Sequence, residues 1–186
     1  MEWAEVIENP LLKDLPFKIE LNKWSQILMS PISNNHGRWT FKVGKILVQQ
    51  KGSGEVIIGC SIDTPEGVKV ADVAWASDEF IEKHGFKTPY NEAPEICVEV
   101  VTPSNTMAEM HEKIALYLAQ GAQEAWLCDQ EGKILCFSKE AAGEVIPSKK
   151  LNAWDDFFEL LDDIDVPEDF MLERDNDVLQ VRDLFR

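Results

Sequence analysis

Apolar positions change period several times along the chain. Trp3, Val6, Ile7 and Leu11 recur at helical spacing ahead of Pro16, which predicts a short amphipathic helix covering one side of the core. Residues 17–21 and 26–29 are short apolar-rich runs around a turn-like Asn22-Lys23, and they predict a hairpin leading into Ser30-Pro31. Over residues 35–50, Trp39, Val43, Ile46 and Leu47 form a helical stripe that stops at Gly52. Residues 55–62 and 68–75 are β-branched runs joined by Pro65-Glu66-Gly67, so they predict a pair of antiparallel strands. Another strand is expected over 96–101. A helix over 105–120 follows Thr102-Pro103-Ser104 and ends at Gly121. Residues 125–128 and 134–137 complete the set as strands around Gln130-Glu131-Gly132-Lys133. Helices alternating with strands in this way predict an α/β fold with a mixed sheet flanked by helices.

The length, 186 residues, allows one ordinary domain with an extension. Apolar residues at 45% and charged residues at 28% exclude a disordered acidic chain. Composition shifts near residue 150. Residues 151–186 hold twelve acids against three arginines, a net −9, whereas residues 1–150 are expected to form the main domain. Phe157, Leu160, Leu161 and Ile164 are spaced to lay one helical face of this acidic extension on the core. The net charge of −16 opposes non-specific attraction to nucleic acid or to an anionic membrane. The first residues lack the basic head and apolar run of a signal peptide, and no stretch of about 18 apolar residues occurs, so a cytoplasmic protein without a membrane partner is expected. Cys60, Cys97, Cys128 and Cys136 lie in apolar stretches without C-x-x-C spacing, which suits buried, reduced thiols.

Two carboxylates fall where the pattern predicts burial. Asp72 interrupts Val70-Ala71-Asp72-Val73-Ala74-Trp75, and Glu99 interrupts Ile96-Cys97-Val98-Glu99-Val100-Val101. A charge in such a run is costly unless it is paired or binds a cation. Each alone fits a solvent-facing strand edge or a structural ion pair. Together, on neighbouring strands, they could converge on a hard divalent cation, Mg²⁺ or Mn²⁺. Glu20, in the first strand of the hairpin, is a third contributor or else a surface residue paired with Lys18 or Lys23. Lys113 lies on the helix after the Glu99 strand, with Tyr117 one turn later on the same face. It either reaches back to the carboxylates or makes the favoured helical surface pair with Glu109. Neither a calcium loop at Asp162-Asp163-Ile164-Asp165 nor a phosphate loop at Gly52-Ser53-Gly54 is complete, and His36, His84 and His111 lack zinc-ligand spacing.

An ordered set of elements adds to this: Ile19-Glu20-Leu21, Met29-Ser30-Pro31, His36, Ala71-Asp72-Val73-Ala74, Val98-Glu99-Val100-Val101-Thr102-Pro103-Ser104, Glu112-Lys113 with Tyr117, then Gly121, Glu124, Trp126, Leu127 and Asp129. In this order, over about residues 15–140, they resemble the Uma-two family of putative restriction endonucleases in the PD-(D/E)XK nuclease superfamily. The resemblance implies a restriction-endonuclease-like core and a divalent metal held by Asp72 and Glu99. It also implies a supporting Glu20, a catalytic Lys113 and a family position at His36, which is either a substrate contact or a packing residue. The chain departs from the pattern at three places. Ala71 stands where the family has Pro, Lys23-Trp24-Ser25 replace an Asp-Gly turn, and Val101 stands where the superfamily commonly has its lysine. The expectation is a Mg²⁺-dependent endonuclease acting on DNA, with Mn²⁺ as substitute and a homodimer as a way to reach both strands. The alternative is a catalytically inactive, protein-binding or regulatory module on the same fold.

Overall fold

The computed structural model describes residues 2–139 and 145–152. In chain order the elements are α1 (Trp3–Glu8), β1 (Phe17–Leu21), β2 (Ile27–Pro31), α2 (Asn34–Lys51), β3 (Glu55–Thr64), β4 (Gly67–Ala76), α3 (Asp78–His84), β5 (Ile96–Val100), α4 (Met107–Ala119), β6 (Glu124–Cys128), β7 (Lys133–Lys139) and β8 (Val145–Asn152). Strands β3 to β8 form one six-stranded mixed sheet in sequential order. Only β5 and β6 run parallel, joined through α4, and the other neighbours are antiparallel. Strands β1 and β2 make a separate hairpin.

Alternating side chains of the sheet serve two cores. On one face Trp39, Val43 and Leu47 of α2 pack on Val73, Val98, Val100, Trp126 and Ile134. On the other, Met110, Ile114, Tyr117 and Leu118 of α4 pack with Phe80 of α3 on Cys60, Ala74, Cys97, Ala125 and Phe137. A third cluster joins α1 to the hairpin and to β4 through Trp3, Val6, Leu21, Val68 and Val70. All four cysteines are buried and outside any disulfide, and burial pushes the Cys60 and Cys128 thiols up to about 12.

Local chemistry explains the helix ends. Ser33 accepts from the His36 N–H at the start of α2, Ser77 accepts from the Phe80 N–H at the start of α3, and Thr106 and Glu109 form a reciprocal capping box on α4. Two glycines set how the layers meet. Gly67 has φ +92°, and a side chain there would collide with the Leu21 carbonyl, so glycine lets the hairpin sit against the β3–β4 turn. Gly132 has φ +88°, and a side chain there would overlap the Trp39 ring. Sequence periodicity did not predict α3 or β8. The acidic extension predicted to pack on the core falls, from residue 153 onward, outside the described residues.

Candidate active site

The hairpin, α2, β4, β5 and α4 all send polar side chains to one point. Asp72 on β4 and Glu99 on β5 are buried, at 4% and 2% exposure. The β4–β5 ladder ends at Val73↔Val98, so the two acids come at the next position on each strand, where the pairing stops. There the Asp72 carboxylate takes over the role of a ladder partner: its Oδ2 accepts from the Val100 N–H at 2.7 Å. Glu20 on β1 is also buried and accepts from the Val70 N–H at 3.0 Å.

Lys113 reaches back from α4 to the acids. Its Nζ lies 2.7 Å from Glu20 Oε1 and 3.6 Å from Glu99 Oε1. Of the two readings open for it in the sequence, it takes the reach back to the carboxylates, with Glu20, not singled out beforehand for this pairing, as its nearest partner, while Glu109 closes the capping box with Thr106. Tyr117, one turn on, donates its hydroxyl to Glu99 Oε1 at 2.5 Å. His36, near the start of α2, places Nε2 3.1 Å from Asp72 Oδ2. Helix α2 is fixed at this end by residues of the β6–β7 turn. Trp39 Nε1 donates to the Gln130 carbonyl at 3.0 Å, Asn35 donates to Gln130 Oε1 at 2.8 Å, and Gln130 Nε2 donates to the Val101 carbonyl.

Lys18 is the member that sequence reasoning missed. It stands two residues before Glu20 on β1 and so points to the same side of the strand. Its Nζ is 2.7 Å from Asp72 Oδ1, 2.9 Å from Glu99 Oε2 and 3.9 Å from Glu20 Oε1. The period-two spacing was a usable signal, but Lys18 read only as a surface partner for Glu20.

The electrostatics follow from three carboxylates facing two ammonium groups. Burial opposes the charged form of Lys18, but attraction from Glu99, Asp72 and Glu20 outweighs it and holds the ammonium well above its usual range. Burial likewise works against ionised Asp72 and Glu20. The charge of Lys18 with the hydrogen bond from His36 holds Asp72 low, and Lys113 with Lys18 holds Glu20 low. Glu99 carries the remaining conflict. Its burial, together with the nearby charges of Asp72 and Glu20, raises its pKa despite both lysines. Among the described residues no group of three or more His, Cys, Asp or Glu side chains is arranged to hold a metal.

Buried acids and part-buried lysines thus gather at a break between sheet strands, with helices on both faces of the sheet. The chain belongs to the Uma2 family, described as putative restriction endonuclease, whose model matches residues 13–173. A crystal structure of a putative nuclease belonging to DUF820 from Anabaena variabilis shares the fold, with a TM-score of 0.57 at 18% identity, over 76% of this chain and 90% of that one. A structure of the DrdV–DNA complex aligns over 72% of this chain and 14% of that one, at 11% identity and a TM-score of 0.35. No curated protein matches the sequence. No helix among the described residues is long and apolar enough to cross a membrane.

Proposed function

We propose that the protein is an endonuclease that hydrolyses DNA phosphodiester bonds with a hard divalent cation, Mg²⁺ or Mn²⁺ in its place, held by Asp72 and Glu99. The observation that carries this reading is the convergence of two buried carboxylates from adjacent strands on one ammonium group, Lys18 Nζ, at 2.7 and 2.9 Å. A buried ionic cluster is a poor way to stabilise a core, because apolar residues of similar volume do as well or better. Its presence therefore asks for a chemical reason.

The donor set suits the metal. A cationic group already lies between Asp72 and Glu99, and their oxygens are hard ligands. Two protein carboxylates leave the other positions to water and phosphate, as Mg²⁺ favours. When bound, the cation would polarise the scissile phosphate and lower the pKa of the attacking water. The chain's own residues supply the rest. The Val100 N–H and His36 orient Asp72, and Tyr117 orients Glu99. Lys113, anchored by Glu20, presents an ammonium to the negative charge that grows on the phosphoryl oxygens. Lys18, beside the same two acids, would offer a second ammonium to that phosphate.

DNA as substrate is supported by the family's description as restriction endonucleases. The test is incubation of the full-length protein with supercoiled plasmid and with single-stranded circular DNA, in Mg²⁺, in Mn²⁺ and in EDTA. Conversion to nicked or linear forms in the metals alone is the expected result. Intact DNA with both metals at low and moderate salt, from protein shown to be folded, overturns the proposal.

A further inference from the structure

Two grooves meet at the acidic cluster, and they differ in chemistry. One, of about 1010 Å³, begins at Glu20 and Lys113 and mixes Glu66, Glu109 and Glu112 with Lys23 and Lys69. The other, of about 770 Å³, begins at Lys18, His36 and Asp72 and runs between α2 and the outer strand β3. Its walls are almost wholly apolar. Ile32, Phe41, Val48 and Ile58 are solvent-exposed there, Phe41 at 70%, in a protein that buries its other α2 apolar side chains in the sheet core. Gly37 and Gly44 keep the helix side of the groove open.

The charge around this groove is the reverse of the charge on the whole chain. The helix wall, α2 (Asn34–Lys51), holds no acidic residue and carries Arg38, Lys42, Lys45 and Lys51. A helix of +4 in a chain of −16 forms this wall; Lys45 lines the groove itself, while Arg38 and Lys42 lie over the Trp39 ring and Lys51 over that of Trp75. An apolar trough with an aromatic side chain, Lys45 at its edge and an acid-free basic helix as one wall, ending at the candidate site, has the chemistry of a single-strand site. There, bases stack on apolar side chains while cations follow the backbone. A duplex hides the faces of its bases in its own stack and cannot fill an apolar groove.

We propose that this groove binds unpaired nucleobases next to the scissile phosphate, so that the substrate is single-stranded or locally unpaired DNA. The inference rests on the nuclease reading for the location of the phosphate, but the groove can be tested by binding alone. The experiment is fluorescence anisotropy of the full-length protein in EDTA with three labelled probes: a single-stranded oligodeoxythymidylate, an abasic oligomer of equal length, and a duplex. The base-bearing single strand should bind at least about tenfold more tightly than either of the others. Phe41→Ala, which alters an exposed side chain, should weaken that strand at least about fivefold and leave the abasic oligomer unchanged. Lys45→Glu should weaken both single strands alike.

Equal binding of the abasic and base-bearing strands overturns the proposal. So does a Phe41→Ala variant that keeps wild-type affinity for the single strand, including the case where it turns a dimer into a monomer and so marks the groove as a contact between copies. Base-dependent binding by a protein that cleaves nothing leaves the groove assignment standing while the nuclease reading fails. Cleavage of duplex DNA that is indifferent to Phe41→Ala does the opposite.

Discussion

Removing Lys18 probes the cluster most revealingly, because its ammonium is the cation around which two buried acids are built. Lys18→Met keeps the length and apolar stem and deletes the charge. Asp72 Oδ1 and Glu99 Oε2 then lose partners at 2.7 and 2.9 Å and face each other across a site where the lysine side chain was only 13% exposed. Leaving buried charges uncompensated costs about 3–5 kcal/mol. For a chain of this size each kcal/mol moves the midpoint by roughly 2–4 °C, so the melting temperature should fall by about 6–20 °C. The assay is urea and thermal unfolding in EDTA, with Glu99→Gln and the double variant completing a cycle. Glu99→Gln removes the acid whose pKa is raised, while Lys113 and Tyr117 keep an oxygen partner there. The double variant should therefore recover at least half of the loss. Mg²⁺ should restore Lys18→Met more than it stabilises the wild type, in which the lysine competes for the same oxygens. A Lys18→Met protein within about 1 kcal/mol of wild type, or a double variant no more stable than the single, would refute this reasoning.

Glu99→Gln alone should leave the metal-free protein as stable as wild type or more so by about 0.5–2 kcal/mol by denaturant melts, since a buried charge disfavoured by its surroundings is traded for a neutral group, while the proposed function expects it to abolish cleavage. Lys113→Ala should abolish cleavage while Mg²⁺ still raises the melting temperature. Glu109→Ala should keep activity and lose about 0.5–2 kcal/mol through the α4 cap, as measured by urea titration beside plasmid nicking. Gly132→Ala should destabilise the protein by about 1–3 kcal/mol, because the backbone there is left-handed and the new methyl would strike Trp39. Calorimetry reads that loss directly.

The elements with long apolar periods were legible in the sequence: α2 through its Trp39–Val43–Leu47 stripe, and β4 and β5 through nearly continuous burial. The two that escaped are short or weakly patterned. Helix α3 spans seven residues and buries only Phe80, although Ser77 ahead of it and Asp78 and Glu79 in its first turn were start signals. Strand β8 contains Pro147 and lies at the edge of the sheet, where a missing N–H is tolerated but the sequence no longer reads as a strand. At the site, Asp72 and Glu99 stood out because a charge inside an apolar run is conspicuous. Lys18 did not, because alternating positions in a five-residue strand reveal a shared face but not what that face meets. That encounter depends on contacts far apart in sequence, the Lys18–Glu99 pair spanning 81 positions.

We propose that Asp72 and Glu99 form a metal-dependent hydrolytic centre. It is tested most directly by the rate of supercoiled plasmid nicking in Mg²⁺ by Asp72→Asn beside wild type, with folding of both checked by calorimetry. Nicking by the wild type that stops in EDTA, together with a folded Asp72→Asn protein slowed at least about a hundredfold, is the predicted result, since losing one principal electrostatic contributor costs about that much. A folded Asp72→Asn protein that nicks at the wild-type rate would contradict the account.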